Sequence, residues 1–323
     1  MGFLKDGEWH DEWDYNDEDS GAFERDESAF RNWITPDGAP GPTGDGGFAA
    51  EPGRYRLVIS LACPWAHRTN IARHLKGLTG AIDLVVVHWL MRDGGWSFRN
   101  GECVTPDPVC GADYLHQVYT RAKPDYSGHV TVPLLWDTKT GTIVNNESAD
   151  ILRMLGSAFD DCGANERDLY PEAHRGEIDA LGQRVYDAVN NGVYKAGFAA
   201  SQRAYDAAVK PLFAMLDELE DRLEGTQWLV GGQLTEADIR LWTTLIRFDP
   251  VYHTHFKCNL RRIADYPNLA AFTRRLYRLE GIAETVNFKH IRHHYFESHR
   301  HINPAGIVPA GPDPLVPGLD DRR

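Results

Sequence analysis

The stretch Cys63-Pro64-Trp65-Ala66 holds the residue best suited to nucleophilic chemistry in this chain of 323 residues. A strand predicted over 55–60 leads directly into Cys63, and Pro64 suits the first position of a helix because its missing N–H has no partner there. Cys63 is therefore predicted at the N-cap, where unpaired backbone N–H groups and the helix dipole favour a thiolate. Such placement lowers a thiol pKa from about 8.5 to roughly 3.5–7.5, which yields a nucleophile at neutral pH.

Ala66 stands where a Cys-x-x-Cys motif has its second cysteine. Cys63 therefore cannot close a local disulfide after it attacks, and an external thiol must regenerate it. A buried structural cysteine is the alternative interpretation, but the order of strand, Cys-Pro and helix favours a reactive thiol. The chain has five cysteines, an odd number at wide spacing, as expected of free thiols in a reducing compartment.

The elements that must position Cys63 follow a thioredoxin-type order. In chain order they are strand 55–60, helix 65–77, strand 82–88, a poorly periodic insertion at about 89–129, strand 130–136, strand 142–144 and a helix from 146 to about 155. The first two strands are predicted to be parallel, joined by a right-handed crossover, and the last two to form an antiparallel hairpin. Beyond Tyr170 strand signals end, apolar residues recur at helical spacing, and Thr235 to Asp238 predicts a capping box.

Charge and composition narrow the class of protein. The net charge is −13, and residues 5–27 hold eleven acids against Lys5 and Arg25, which argues against a nucleic-acid partner. Six aromatic residues are interleaved in or near this acidic stretch, so we expect the arm to pack on the body or on a second subunit. No signal peptide or membrane-spanning run is predicted, and we expect a cytoplasmic protein. The predicted segments are an arm at 1–52, a thioredoxin-like domain at 53–160, an all-helical domain at 170–300 and a Pro/Gly-rich tail at 301–323.

Over roughly residues 50 to 290 the chain resembles the glutathione transferase superfamily. Cys-Pro-Trp-Ala after the first strand, the insertion before a Val-Pro strand, a Glu-Ser pair and a His/Tyr-rich C-terminal segment are together similar to the glutathionyl-hydroquinone reductases, the Xi class. The resemblance implies an α/β thioredoxin-like N-terminal domain followed by an all-α domain. It also implies that Cys63 attacks the sulfur of a glutathionyl-hydroquinone, and that a second glutathione resolves the resulting mixed disulfide.

The resemblance implies a glutathione site in the first domain. Val132-Pro133 is expected to be cis and to pair with the glutathione backbone, and Glu147-Ser148 is expected to hold its γ-glutamyl end. Simple N-capping by Glu147-Ser148 is an equally good interpretation of the residues alone. Trp96, after two glycines expected to be flexible, would cover the glutathione. Arg92 would meet a carboxylate, with a surface ion pair as its alternative.

The resemblance also implies a quinone pocket between the domains, in which Tyr194 and Tyr295 bond the quinol oxygens. Local backbone bonding is the alternative for each tyrosine. The histidine-rich segment around His294 suggests zinc, but no cysteine or distant acid is indicated as a further ligand, so we expect polar lining of the quinone pocket and no metal.

Two other functions remain open. An Omega-like thioltransferase would reduce mixed disulfides or dehydroascorbate, but the insertion and the two tyrosines disfavour it. A noncatalytic assembly module is disfavoured because a scaffold has no need of a reactive thiol at a helix start. The expected partners are glutathione, an aromatic glutathionyl-hydroquinone and a second copy of the chain in a homodimer.

Overall fold

The computed structural model of the chain describes residues 2–12, 16–17, 19–106 and 109–316. The chain divides into two compact units, one of Met1–Asp14 and Asp26–Asp168, the other of Tyr15–Arg25 and Leu169–Arg323. Trp13 and Tyr15 of the predicted aromatic arm, and residues 317–323 of the predicted tail, lie outside the described residues. Within the described part of the chain, no helix is both long and apolar enough to cross a bilayer.

The first unit contains a four-stranded sheet and shorter strands from the arm. Its strands are β1 (Phe3–Lys5), β2 (Glu8–His10), β3 (Trp33–Thr35), β4 (Gly47–Ala49), β5 (Tyr55–Ile59), β6 (Ile82–Val86), β7 (Gly128–His129), β8 (Leu134–Asp137) and β9 (Thr142–Asn145). The main sheet has the order β6-β5-β8-β9. The parallel pair β5 and β6 and the antiparallel pair β8 and β9 are both confirmed. Leu57, Val58 and Ile59 of the central β5 are fully buried, as expected of a strand covered on both faces.

In the described residues of the first unit the α-helices are α1 (Pro64–Leu75), α2 (Leu115–Ala122) and α3 (Ser148–Ser157). Helix α1 ends two residues earlier than predicted because Gly77 adopts a left-handed φ of 72° just after the C-cap Lys76. Helix α2 and β7 lie inside the insertion, which was expected to lack regular structure. Strand β8 begins only at Leu134, since Pro133 has no N–H to donate to the sheet.

The second unit is helical, as predicted. Its helices are α4 (Arg175–Val185), α5 (Gly192–Gly197), α6 (Gln202–Arg222), α7 (Glu236–Arg247), α8 (His253–His255), α9 (Pro267–Tyr277) and α10 (Phe288–Ser298). Two π-helical turns, Tyr186–Asn190 and Phe248–Tyr252, precede α5 and α8. The predicted capping box is confirmed, because Thr235 and Asp238 exchange hydrogen bonds at the start of α7.

The acidic arm belongs to both units. In the first unit, β1 pairs with β2 and with β7, so the start of the arm packs against the insertion. Farther along, the Asn32 N–H donates to the Val144 carbonyl at 3.1 Å, which ties the arm to the region of β9. The intervening residues 15–25 belong to the second unit. The single arm predicted at 1–52 is therefore divided in the structure.

Candidate active site

Cys63 lies at the N-cap of α1 and is partly exposed. Pro64 occupies the first helical position, and the Cys63 carbonyl accepts the His67 N–H at 3.0 Å, so the helix begins directly after the thiol. The first turn of α1 contains no acidic residue that would oppose a negative charge on sulfur. The position predicted from the sequence is confirmed, and it favours a thiolate through the helix dipole. The catalytic role of Cys63 stays a prediction at this point.

The loop before β8 lies against the cysteine. The Val132–Pro133 peptide bond is cis, as predicted, and the Cys63 thiol donates to the Val132 carbonyl oxygen at 3.4 Å. The Val132 N–H makes no hydrogen bond to another backbone group of the described chain. An extended peptide bound beside Cys63 would therefore find an edge at which to pair as an added strand.

Glu147 and Ser148 form the start of α3. Glu147 is the N-cap, and its carboxylate accepts the Ala149 N–H at 3.0 Å and the Ser28 hydroxyl at 2.9 Å. The capping interpretation of Glu147 is therefore confirmed, and a role in glutathione binding stays a prediction. Ser148 is buried, and its hydroxyl accepts a hydrogen bond from the Arg68 guanidinium at 3.4 Å.

Arg68 is a residue that the sequence reasoning missed. It is only 3% exposed, and its guanidinium stacks on Trp65 at 4.5 Å from the ring centroid. The available signal was its position three residues after Trp65, which places the two side chains on one face of α1. A guanidinium beside the start of α3 suits an anionic group such as a carboxylate.

Trp96 is buried and follows two glycines that fix its loop. Gly94 and Gly95 have left-handed φ values of 81° and 73°. A Cβ on Gly95 would lie 2.8 Å from the Trp9 ring, and one on Gly94 would lie 2.5 Å from the Tyr114 ring. The two glycines are therefore required by backbone conformation and by close packing, contrary to the expectation of a flexible pair.

The N-terminal arm is hydrogen-bonded to the loop that holds Trp96. One Asp11 carboxylate oxygen accepts both the Trp9 indole N–H and the Gly94 N–H, each at 2.8 Å. A turn that begins at Arg92 is closed by a hydrogen bond of 2.7 Å from the Gly95 N–H to the Arg92 carbonyl. The Arg92 side chain is exposed. Its carboxylate-binding role stays a prediction.

Three tyrosine hydroxyls form a hydrogen-bonded row in the second unit. The Tyr295 hydroxyl lies 2.6 Å from that of Tyr194 and 3.0 Å from that of Tyr252. All three side chains are buried. The structure thus brings together the two tyrosines that the sequence singled out, one from α5 and one from α10. Each of these two hydroxyls bonds the hydroxyl of another tyrosine.

Burial raises the pKa of Tyr252 and of Tyr295 well above the usual range of a phenol. Both phenols therefore stay protonated at neutral pH and can donate hydrogen bonds. Tyr252 was missed because Phe248, Tyr252 and Phe256 recur every four residues, a pattern typical of a helix core. The structure adds one indication that the sequence does not show: Tyr252 ends a π-helical turn, a feature frequent at functional sites.

His294 lies next to the tyrosine row, with its ring 5.2 Å from that of Tyr295. Two other histidines lie nearby, and the His255 Nε2 and the His299 Nδ1 are 3.2 Å apart. Burial, reinforced by repulsion from His294, lowers the pKa of His255 to about 3 and that of His299 well below its usual range. Both rings are therefore neutral at physiological pH. In the described residues, no group of three or more potential ligands is placed to hold a metal ion.

A thioredoxin-like unit with a cysteine at its first helix N-cap beside a cis proline, together with an all-helical unit, defines a protein of the glutathione transferase type. The family models for the glutathione S-transferase N-terminal and C-terminal domains match residues 62–158 and 202–275.

Full-length relatives narrow the family. The chain is 58% identical to glutathionyl-hydroquinone reductase YqjG of Escherichia coli (strain K12), over 97% of this chain and 95% of the relative. It is 52% identical to glutathionyl-hydroquinone reductase PcpF of Sphingobium chlorophenolicum, over 99% of each. The glutathione-bound structure of YqjG, a glutathione transferase homolog from Escherichia coli K-12, matches with a TM-score of 0.89 at 56% identity and covers 96% of both chains. The chain therefore belongs to the glutathionyl-hydroquinone reductases of the glutathione transferase family.

Proposed function

We propose that this protein catalyses the glutathione-dependent reduction of glutathionyl-hydroquinones to hydroquinones. The Cys63 thiolate attacks the sulfur of the conjugate, the carbon–sulfur bond breaks, the ring carbon takes up a proton, and the hydroquinone leaves. A mixed disulfide between Cys63 and glutathione remains. The thiolate of a second glutathione attacks it, which forms glutathione disulfide and restores the Cys63 thiolate. The ring carbon is thereby reduced, and two glutathione sulfurs are oxidised.

One observation carries this proposal. A cysteine without a neighbouring resolving cysteine lies at the α1 N-cap, 3.4 Å from the carbonyl of Val132, in a chain 58% identical to a protein named glutathionyl-hydroquinone reductase. A lone thiolate next to a peptide edge suits a reaction in which glutathione is first bound and then carried as a mixed disulfide.

The first unit offers the groups for glutathione. The backbone of Val132, held by the cis bond to Pro133, would pair with the peptide, and Trp96 would cover it. The start of α3, with Ser148 and the nearby Arg68 guanidinium, would receive a carboxylate. Glu147 would orient that helix start through its capping bond, and an exposed Arg92 would meet the second carboxylate.

The second unit offers the groups for the quinol ring. The buried phenols of Tyr194, Tyr252 and Tyr295 share two hydrogen bonds among themselves, so one O–H of the row is left to donate to a ring oxygen as negative charge develops on it. The hydroxyls already bond one another, so their positions are set before substrate binds. His294 would line the ring site as a polar neighbour of Tyr295.

The test compares Cys63→Ala with Cys162→Ala. Cys162 is a matched control because it is also partly exposed and also donates to a backbone carbonyl, that of Ala50, at 3.4 Å in the same unit. With a glutathionyl-hydroquinone and excess glutathione, Cys63→Ala should release no hydroquinone while its circular dichroism spectrum stays unchanged, and Cys162→Ala should retain turnover. Hydroquinone release by Cys63→Ala at the wild-type rate would contradict the mechanism.

The same thiol supports a second candidate, the Omega-like reduction of mixed disulfides or dehydroascorbate. Wild-type kcat/KM values for a glutathionyl-hydroquinone, a simple glutathione mixed disulfide and dehydroascorbate decide between them. The proposal predicts preference for the aromatic conjugate. A noncatalytic assembly module would turn over none of the three.

We further propose that the protein acts in the cytoplasm as a homodimer. All five cysteines of this chain are free, as expected of a protein in a reducing compartment. The homodimer is implied by the family resemblance. Light scattering of the purified protein should give a mass of two chains, and a mass of one chain would contradict the homodimer.

A further inference from the structure

Residues 16–17 and 19–25, the N-terminal loop, are bound to the segment that follows α5. The Ala200 N–H donates to the Gly21 carbonyl at 3.0 Å. The Asn16 side-chain amide donates to the Phe198 carbonyl at 2.9 Å, and the Ser201 hydroxyl donates to the Ser20 carbonyl at 2.9 Å. The N-terminal loop is thus attached to the helix that carries Tyr194.

The N-terminal loop is also ordered by its own hydrogen bonds. The Asp17 N–H donates to the Ala22 carbonyl, and the Gly21 N–H donates to the Asp17 carbonyl, both at 2.9 Å. The Asp17 carboxylate accepts the Ser20 hydroxyl at 2.6 Å, and this bond lowers the pKa of Asp17. Residues that follow this turn are therefore held in a defined position.

Two of those residues cover the ring of Tyr194. Phe23 is buried and stacks on Tyr194 with 6.2 Å between ring centroids. The Arg25 guanidinium carbon lies 5.4 Å from the Tyr194 centroid and 5.5 Å from that of Phe23, within the range of cation–π attraction. Arg25 is nevertheless exposed overall, so its charge is accessible from solvent.

We propose that Arg25, supported by Phe23, forms a subsite for an acidic substituent on the hydroquinone ring. The proposal rests on the proposed function, because it requires that Tyr194 bind a ring oxygen. A carboxylate beside that oxygen then lies near the guanidinium, which can bind it through two parallel hydrogen bonds. The chain carries a net charge of −13, with eleven acids in residues 5–27, so a local cation also offsets repulsion of an anionic substrate.

The test uses two conjugates, glutathionyl-1,4-dihydroxybenzene and the same conjugate with one ring carboxylate. Arg25→Met keeps an aliphatic stem over the rings and removes the charge, and Arg25→Lys restores a charge. Arg203→Met is the matched control, since Arg203 is an exposed arginine of the same unit in the first turn of α6. The measured quantity is the ratio of kcat/KM for the carboxylated conjugate to that for the neutral one.

Arg25→Met should lower this ratio about fivefold, mainly through KM, as expected for an exposed charge pair. Arg25→Lys should recover only part of the ratio, because Lys restores the charge but not the two parallel hydrogen bonds, and Arg203→Met should not change it. The wild-type ratio should also fall as salt rises. A ratio unchanged in Arg25→Met, or an equal loss for both conjugates, would overturn the subsite alone. Failure of the wild type to turn over the neutral conjugate would overturn the proposed function, and the subsite with it.

Discussion

Replacing Tyr295 by Phe removes the central hydroxyl of the tyrosine row. That hydroxyl bonds Tyr194 at 2.6 Å and Tyr252 at 3.0 Å, and each bond contributes about 1 kcal/mol net. The free energy of unfolding should therefore fall by about 2 kcal/mol. If Tyr295 also donates to a ring oxygen in the transition state, a further loss of about 2 kcal/mol there lowers kcat/KM about 30-fold.

The assay measures hydroquinone release from a glutathionyl-hydroquinone and, in parallel, exchange of Cys63 with a simple glutathione mixed disulfide. Tyr295→Phe should slow the first about 30-fold and the second less than about twofold, since no ring oxygen is present in the second reaction. Tyr266→Phe is the matched control: it removes a buried phenol in the same unit that donates to Asp217 at 2.9 Å. Equal slowing of both reactions by Tyr295→Phe would refute the role of the tyrosine row.

Three further outcomes are expected. Iodoacetamide labelling against pH should show Cys63 titrating well below 8.5; a midpoint near 8.5 would rule out activation by the helix start. The folded pKa of His255, about 3, lies below its unfolded value of 6.5, so the unfolded chain binds the extra proton and stability is lost as pH falls below 6.5. The free energy of unfolding should fall by about 2 kcal/mol between pH 7 and pH 5. In thermal melts, His255→Gln should reduce this dependence of stability on pH, and an unchanged dependence would contradict the contribution of His255. Gly95 has a φ of 73° and lies against the Trp9 ring. Gly95→Ala should therefore destabilise the loop that holds Trp96 by about 1–2 kcal/mol and weaken glutathione binding measured by calorimetry. An unchanged affinity for glutathione would show that this loop takes no part in the glutathione site.

Local signals in the sequence predicted much of the fold. The run of buried residues in β5, the proline after Cys63 and the capping box at Thr235 each act within a few residues, and each is confirmed. The cis bond at Pro133 was expected only through the family resemblance, because the residues alone favour trans.

Features set by long-range packing were not predictable in this way. The Asn16 side-chain amide donates to the Phe198 carbonyl, 182 positions away in the chain. The division of the arm between the two units depends on such contacts, so no pattern of neighbouring residues in the sequence predicts it. Tyr252 resembles a core aromatic until the fold places its hydroxyl beside that of Tyr295. The role of Arg68 could not be predicted from the sequence either, because its burial against Trp65 and beside Ser148 depends on how α1 packs against α3.

Mass spectrometry of Cys63 during turnover tests the reaction most directly. When the enzyme is mixed with one equivalent of a glutathionyl-hydroquinone and no free glutathione, one glutathione should be found in disulfide linkage on the peptide that contains Cys63, together with one equivalent of free hydroquinone. Added glutathione should then remove the adduct as glutathione disulfide. Release of hydroquinone with Cys63 unmodified, or with the adduct on Cys162, would contradict the proposed chemistry.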